Sequence, residues 1–218
     1  TVVCNDPFLK NINLVNFNKI LDCDLISLHV PYTENGKHPT KNLIDKDTLS
    51  RLDNKILINS SRGGVVNEED LLKNSTIKYV ADVWNNEPLP SKAIVKKSLI
   101  ASPHIAGYSK QGKLNGSLAI ASAVSKYIES KKEMNPFNFI DPSEKKFIEV
   151  LPTPTKILPY PLSVFKKSFD IRSISNEMKK LFNQNIKDKA LSDNFNKMRS
   201  LHPIRNDYDT KEFEEKYN

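Results

Sequence analysis

The sequence predicts an α/β fold organised around a parallel sheet, and three observations carry that expectation. From residue 25 to 103, short apolar runs alternate with polar, helix-compatible stretches, the pattern of strands joined by crossover helices. The runs are rich in Val, Ile and Leu, as Lys55-Ile56-Leu57-Ile58-Asn59 illustrates, which suits strands buried within a sheet. The residues with the most chemical potential, Arg62, Glu87 and His104, each stand just beyond one of these runs, where an open parallel sheet gathers its ligand site.

Taken in order, Thr1-Val2-Val3-Cys4 reads as a strand closed by Asn5-Asp6-Pro7. Leu25 to Val30 is the next strand, followed by a short helix that includes Thr48 to Leu52 and by the strand Lys55 to Asn59. Asn67-Glu68-Glu69-Asp70 reads as a helix N-cap with an acidic first turn, leading into Leu71-Leu72. Strands over Lys78 to Val83 and Leu99 to Ser102 complete the alternation. A long helix from Gly116 to Lys131 carries Leu118, Ala121, Val124, Ser125 and Ile128 at helical spacing. Proline-rich sequence from Asn135-Pro136 to Pro161 then interrupts the periodicity, which places a boundary near residue 134. Beyond it come a strand over Phe165 to Ile171, helices over Asn176 to Phe182 and Leu191 to Met198, and a charged tail after Tyr208.

Composition narrows the function classes. The 218 residues suffice for one or two domains. No apolar run approaches the ~20 residues that cross a bilayer, and no secretory leader pattern opens the chain, so no membrane association and a cytoplasmic location are expected. A net charge of +7 raises nucleic-acid binding. The excess is mostly scattered lysine without an arginine-rich or aromatic-interleaved stripe, so no nucleic-acid partner is expected; a modest positive field also suits an anionic, phosphorylated substrate. Cys4 and Cys23 lack metal or redox-pair spacing and read as buried, inert thiols in a reducing compartment. His29, His38 and His202 show no ligand spacing, so no metal is expected. Trp84 reads as core or hinge packing.

Arg62, Glu87 and His104 together supply an anion clamp, an acid and an imidazole. Arg62 lies in Ser60-Ser61-Arg62-Gly63-Gly64, where small residues let backbone approach a ligand closely. Each also has a plain alternative: a salt-bridged surface arginine, a surface glutamate before proline, a loop histidine after proline.

Together with Asp6, the segments around Arg62, Ala81-Asp82-Val83-Trp84-Asn85-Asn86-Glu87-Pro88 and Ser102-Pro103-His104-Ile105-Ala106-Gly107-Tyr108 resemble the D-isomer-specific 2-hydroxyacid dehydrogenase family over roughly residues 1 to 130. The resemblance implies a partial doubly wound, Rossmann-like NAD-binding domain over 1–113, a crossover helix over 114–134 and a small α+β dimerisation domain over 135–218 that makes a homodimer. It implies oxidation of a phosphorylated hydroxy acid with NAD as cofactor. His104 is then the base, Glu87 its orienting acid, and Arg62 the grip on the substrate carboxylate with Tyr108 as a second substrate contact. Asp6 would bind the adenosine ribose, and Val30, Ser60, Ser61, Arg62, Asp82 and Gly107 would line the cofactor, Asp82 against the nicotinamide carboxamide. In such a fold a Gly-rich turn lies ~20 residues before the ribose-binding acid. The expectation is therefore an amino-terminally truncated enzyme, lacking the first strand, that turn and most of the substrate domain, and impaired as an isolated fragment. Another family member with different substrate groups, and a non-catalytic NAD-sensing or dimerisation module, stay open at this point.

Overall fold

In the computed structural model of the chain, residues 1–9, 14–130 and 169–207 are described, together with positions 211 and 215. The expected boundary near 134, the expected strand residues 165–168 and most of the tail after Tyr208 lie outside the described residues.

Four parallel strands form one sheet in the order β1-β2-β3-β4: β1 (Leu25–Leu28), β2 (Ile56–Asn59), β3 (Lys78–Ala81) and β4 (Ile100–Ala101). Strand order follows chain order, so each connection is a crossover, as the alternating pattern predicts. Short helices α1 (Phe17–Ile20), α2 (Lys46–Leu49), α3 (Glu68–Lys73) and α4 (Lys92–Lys97) lie among the strands, and α5 (Lys110–Ser130), α6 (Ile171–Phe182) and α7 (Asp188–Ser200) follow. Where a strand carries alternating burial, one set of side chains packs: Ile26 and Leu28 of β1 are buried while Leu25 and Ser27 are exposed. Leu57, Tyr79, Ala81 and Ala101 fill the sheet interior with Leu49, Leu52, Leu71, Ile94 and Val95 from the connecting segments.

β1, β3 and β4 end one or two residues sooner than expected at their carboxyl ends, whereas β2 ends at Asn59 as expected. The ladder continues one step past β3 and β4, with Asp82 N–H on Asn59 O (3.0 Å) and Ser102 N–H on Ala81 O (2.9 Å). The Asn59 side chain then captures the N–H of Ser61 two residues on, and Asp82 captures those of Ile105 and Ala106 in the loop after β4, so the chain turns into loops.

Thr1–Cys4, expected as a strand, contributes a single parallel bridge between Cys4 and Leu14. Val2 and Val3 are exposed, so nothing apolar holds the segment to a sheet. Cys4 is correspondingly exposed and Cys23 half-buried, against the expectation of two buried thiols.

Two compact units are distinguished. The first joins Thr1–Ala106 with Ile171–Leu201, and the second begins at Gly107 and includes α5 and the segment from His202. In the first, α6 packs on β4 and α4, with Ala101 N–H donating to the Ser175 hydroxyl (3.0 Å) and Met178, Leu181 and Phe182 buried. Phe182 meets Phe195 of α7 edge to face at 6.3 Å. The sequence-based division, which groups 171–201 with a C-terminal domain over 135–218, differs here: an amphipathic helix with a buried apolar stripe packs against the strand at the sheet edge. Ile171, expected to end a strand, instead opens α6. In the second unit, α5 starts with Lys110, Ser109 accepts from Gly112 N–H (2.8 Å), and Lys110 N–H donates to Arg205 O (2.8 Å). No described helix is long and apolar enough to cross a membrane.

Candidate active site

The loops after β2, β3 and β4 leave the same edge of the sheet because the strands are parallel. After β2, buried Asn59 organises the turn: its Oδ1 accepts from Ser61 N–H (3.1 Å) and the Ser61 hydroxyl (2.8 Å), and its amide donates to Arg62 O (3.0 Å). Arg62 is thereby held with its guanidinium exposed, Nη1 donating back to Ser61 O (2.7 Å), and it forms no ion pair among the described residues. Gly63 has to be glycine, since a Cβ there would overlap the Trp84 carbonyl in the next loop.

After β3, Asp82 is 6% exposed and bonds the loop that follows β4 through both oxygens. Its Oδ1 accepts from Ile105 N–H (2.8 Å) and the Ser102 hydroxyl (2.6 Å), and its Oδ2 from Ala106 N–H (2.8 Å). Between those anchors stands His104, whose φ of 56° lies in the left-handed region that non-glycine residues adopt at a cost. One carboxylate thus holds the chain on both sides of a strained residue, by the Ser102 hydroxyl before it and by two backbone N–H groups after it.

Glu87 completes the arrangement from the β3 loop. Its Oε1 accepts from Trp84 N–H (2.9 Å), and its Oε2 is 2.8 Å from His104 Nδ1. Trp84, buried as core, donates its indole N–H to Ser102 O (2.9 Å), which ties the acid loop to the imidazole loop. A carboxylate accepts only, so the pair places the ring proton on Nδ1 and leaves Nε2 as a basic nitrogen. Both side chains are partly exposed, at 29% for His104 and 22% for Glu87, so a ligand can reach them.

A third carboxylate lies behind this pair. Glu68, first residue of α3, is buried and its Oε1 accepts from Asn85 N–H (3.0 Å). Asn85 Oδ1 in turn accepts from Gly64 N–H, so the arginine and acid loops are bonded to each other. Burial pushes the Glu68 carboxyl up to about 7, against the Asn85 hydrogen bond and with a smaller upward push from the negative charge of Glu87.

Of the sequence-expected residues, Glu87 and His104 are brought into direct contact, Asp82 holds their loop, and Arg62 is coupled to them through Gly63, Gly64 and Asn85. Val30 lies just past β1, half-buried against the core, and Ser60 and Ser61 follow β2. Asp6 makes a turn bond, its Oδ1 accepting from Phe8 N–H (2.9 Å), and remains partly exposed. Asp82 Oδ2 accepts one bond, which leaves a lone pair for a further donor. Gly107 and Tyr108 belong to the second unit; a Cβ on Gly107 would meet nothing within 4 Å, and the Tyr108 ring lies under Lys113 Nζ at 3.9 Å. Sequence reasoning missed Asn59, Glu68 and Asn85 as parts of the site, and it read Gly63 as an approach to a ligand where the close approach is to the Trp84 carbonyl. For Asn59 a signal existed, a polar residue closing the apolar run Ile56-Leu57-Ile58.

Residues 5–106 match the model of the NAD binding domain of D-isomer specific 2-hydroxyacid dehydrogenases. An erythronate-4-phosphate dehydrogenase from Wigglesworthia glossinidia brevipalpis is 39% identical over 194 residues, covering 84% of this chain and 50% of the relative. One from Cellvibrio japonicus is 34% identical over 180 residues, covering 78% and 47%. A solved NAD-dependent formate dehydrogenase from Staphylococcus aureus, in complex with NAD, aligns at 29% identity and a TM-score of 0.38 over 44% of this chain and 31% of its own. The chain spans about half the length of these curated relatives.

Proposed function

The chain belongs, through residues 5–106, to the D-isomer specific 2-hydroxyacid dehydrogenase family, and on that premise we propose that it is the catalytic and cofactor-binding part of an erythronate-4-phosphate dehydrogenase. The reaction is oxidation of 4-phospho-D-erythronate at C2 to 2-oxo-3-hydroxy-4-phosphobutanoate, a step toward pyridoxal 5'-phosphate. The observation that carries this reading is the His104–Glu87 pair, 2.8 Å apart, at the carboxyl edge of the sheet.

His104 Nε2 takes the proton of the C2 hydroxyl, and Glu87, already bonded to Nδ1, stabilises the imidazolium that results. Arg62, with an exposed planar fork and no ion-pair partner among the described residues, grips the substrate carboxylate and draws charge toward the oxygen at C2. NAD, when bound, takes up the two electrons and the hydrogen lost from C2. The residues present fit that cofactor in two places: the partly exposed Asp6 carboxylate suits a ribose diol and favours NAD over its phosphorylated form, and the open lone pair of Asp82 suits a carboxamide N–H. We also assign the protein to the cytoplasm and homodimerisation to its C-terminal region, which light scattering on the purified protein would reverse by reporting a monomer.

The test is steady-state kinetics of the gene product purified in full, following NADH absorbance. The expected kcat/KM for 4-phospho-D-erythronate exceeds that for 3-phospho-D-glycerate by roughly 100-fold, as a difference of one carbon and its hydroxyl allows. Preference for the three-carbon acid would move the protein to another member of the family. Undiminished turnover in the His104→Ala variant would remove the histidine from the mechanism.

A further inference from the structure

We propose that Glu68 is a positioning residue of the active site, a latch from α3 that fixes the loop bearing Glu87 against the loop bearing Arg62; the catalytic part of this inference rests on the dehydrogenase reading, and its structural part does not. Glu68 heads a helix, where an acidic residue commonly sits in water and offsets the exposed N–H groups. Its neighbour Glu69 does so, being exposed. Glu68 instead turns inward to 7% exposure and gives Oε1 to Asn85 N–H at 3.0 Å. Burying a carboxylate is unfavourable, and more so near the negative charge of Glu87, so the placement is not explained by helix capping.

What the bond achieves is visible in the neighbouring contacts. Asn85 stands two residues before Glu87 and immediately after Trp84, whose N–H holds Glu87 Oε1. The Asn85 side chain accepts from Gly64 N–H, and Gly63 is pressed against the Trp84 carbonyl. Asn85 is therefore gripped from its backbone by Glu68 and from its side chain by the arginine loop. Asn86 beside it has a φ of 57°, a left-handed conformation that relaxes once its flanks are released. The shift would pass directly to Glu87 and to the 2.8 Å contact with His104.

Glutamine at position 68 keeps an amide oxygen for Asn85 N–H, whereas alanine removes the acceptor, so the pair of variants separates the latch from a merely structural loss. Hydrogen exchange of the Asn85 amide, read by NMR on the full protein, is expected to stay protected in wild type and Glu68→Gln. It should become tenfold or more faster in Glu68→Ala, with the Leu57 and Tyr79 amides of the sheet unchanged as the measure of intact folding. Turnover of 4-phospho-D-erythronate should fall at least tenfold in kcat with little change in KM for Glu68→Ala, and recover to within threefold in Glu68→Gln. Wild-type protection of Asn85 in Glu68→Ala, or loss of protection in Glu68→Gln, would overturn the latch. Lost protection with unchanged kcat would overturn its part in catalysis. A wild-type protein that oxidises no hydroxy acid would sink the proposed reaction alone, while the exchange data still decide whether the latch exists.

Discussion

Asparagine in place of Asp82 is the substitution whose consequence follows most directly from the geometry. The carboxylate receives Ile105 N–H and the Ser102 hydroxyl on Oδ1 and Ala106 N–H on Oδ2, all between 2.6 and 2.8 Å. An asparagine side chain matches the shape but has one acceptor oxygen; its NH2 then faces either Ala106 N–H or Ile105 N–H, donor against donor. One charge-assisted bond is lost, worth about 1.5–3 kcal/mol, and a buried N–H is left unsatisfied at a similar cost, so about 3–6 kcal/mol of native stability disappears. The strain at His104, of order 1–3 kcal/mol for a left-handed non-glycine residue, is then no longer outweighed on both sides. A relaxed His104 moves its ring by about 1 Å or more relative to Glu87 and the substrate, a displacement that costs on the order of 100-fold in rate. Urea unfolding and kcat measured on the same preparation of the full protein provide the check. Asp82→Asn with a wild-type urea midpoint and kcat within threefold of wild type would refute the idea that this carboxylate holds the imidazole loop.

Glu87→Gln leaves the size of the acid unchanged but lets an NH2 group face the imidazole, which permits the wrong tautomer; kcat is expected to fall by about 10³–10⁴, judged from the comparable Asp-to-Asn change in serine proteases, and a drop under tenfold would remove the orienting role. Gly63→Ala drives a methyl group into the Trp84 carbonyl, so the two loops must part: a destabilisation of about 1–3 kcal/mol by thermal unfolding is expected, and an unchanged Tm would show that the loops are not in contact. The raised Glu68 carboxyl gives a pH signature. Because its folded value lies above that of the unfolded chain, the folded state binds the extra proton between about pH 4.5 and 7, and stability is full below that window and declines as pH rises through it. The decline attributable to this group is roughly 3 kcal/mol, and Glu68→Gln should flatten it in urea titrations repeated from pH 5 to 8.

How far these features could be read from the sequence varies with how local their causes are. The strand β2 was legible because Ile56, Leu57 and Ile58 form an unbroken apolar run, and α3 because Asn67 caps it, accepting from Asp70 N–H at 3.1 Å. The order of Arg62, Glu87 and His104 was legible because each ends a run in a parallel sheet. The start of α5 was not: Gly112 in its first turn argues against a helix, and the cap that offsets it, Ser109 Oγ on Gly112 N–H, looks like any serine in a loop. The start of α6 was hidden for another reason, since Ile171 reads as strand until its helix meets β4 and Ser175 finds Ala101 N–H, a partner 74 residues away. Glu68 could not be singled out from Glu69 and Asp70, three acids in a row at a helix start, because only the fold reveals which one turns inward. Long-range partners, and not local propensity, decide each of these cases.

Asp82, Glu68 and Glu87 divide the work of holding the site, and their environments show how. A base in this reaction must return its proton as well as take it, which requires an imidazole held in one orientation. Asp82 gives its two oxygens to two peptide N–H groups and a hydroxyl, all within 2.8 Å, and so holds the loop that carries the ring. Glu68 is driven toward its neutral form by burial, and the charge of Glu87 opposes its ionisation further. Glu87 alone bonds the ring, at 2.8 Å, and it is the most exposed of the three. The imidazole therefore bonds one acid, while the other two fix the loops on which it and that acid stand.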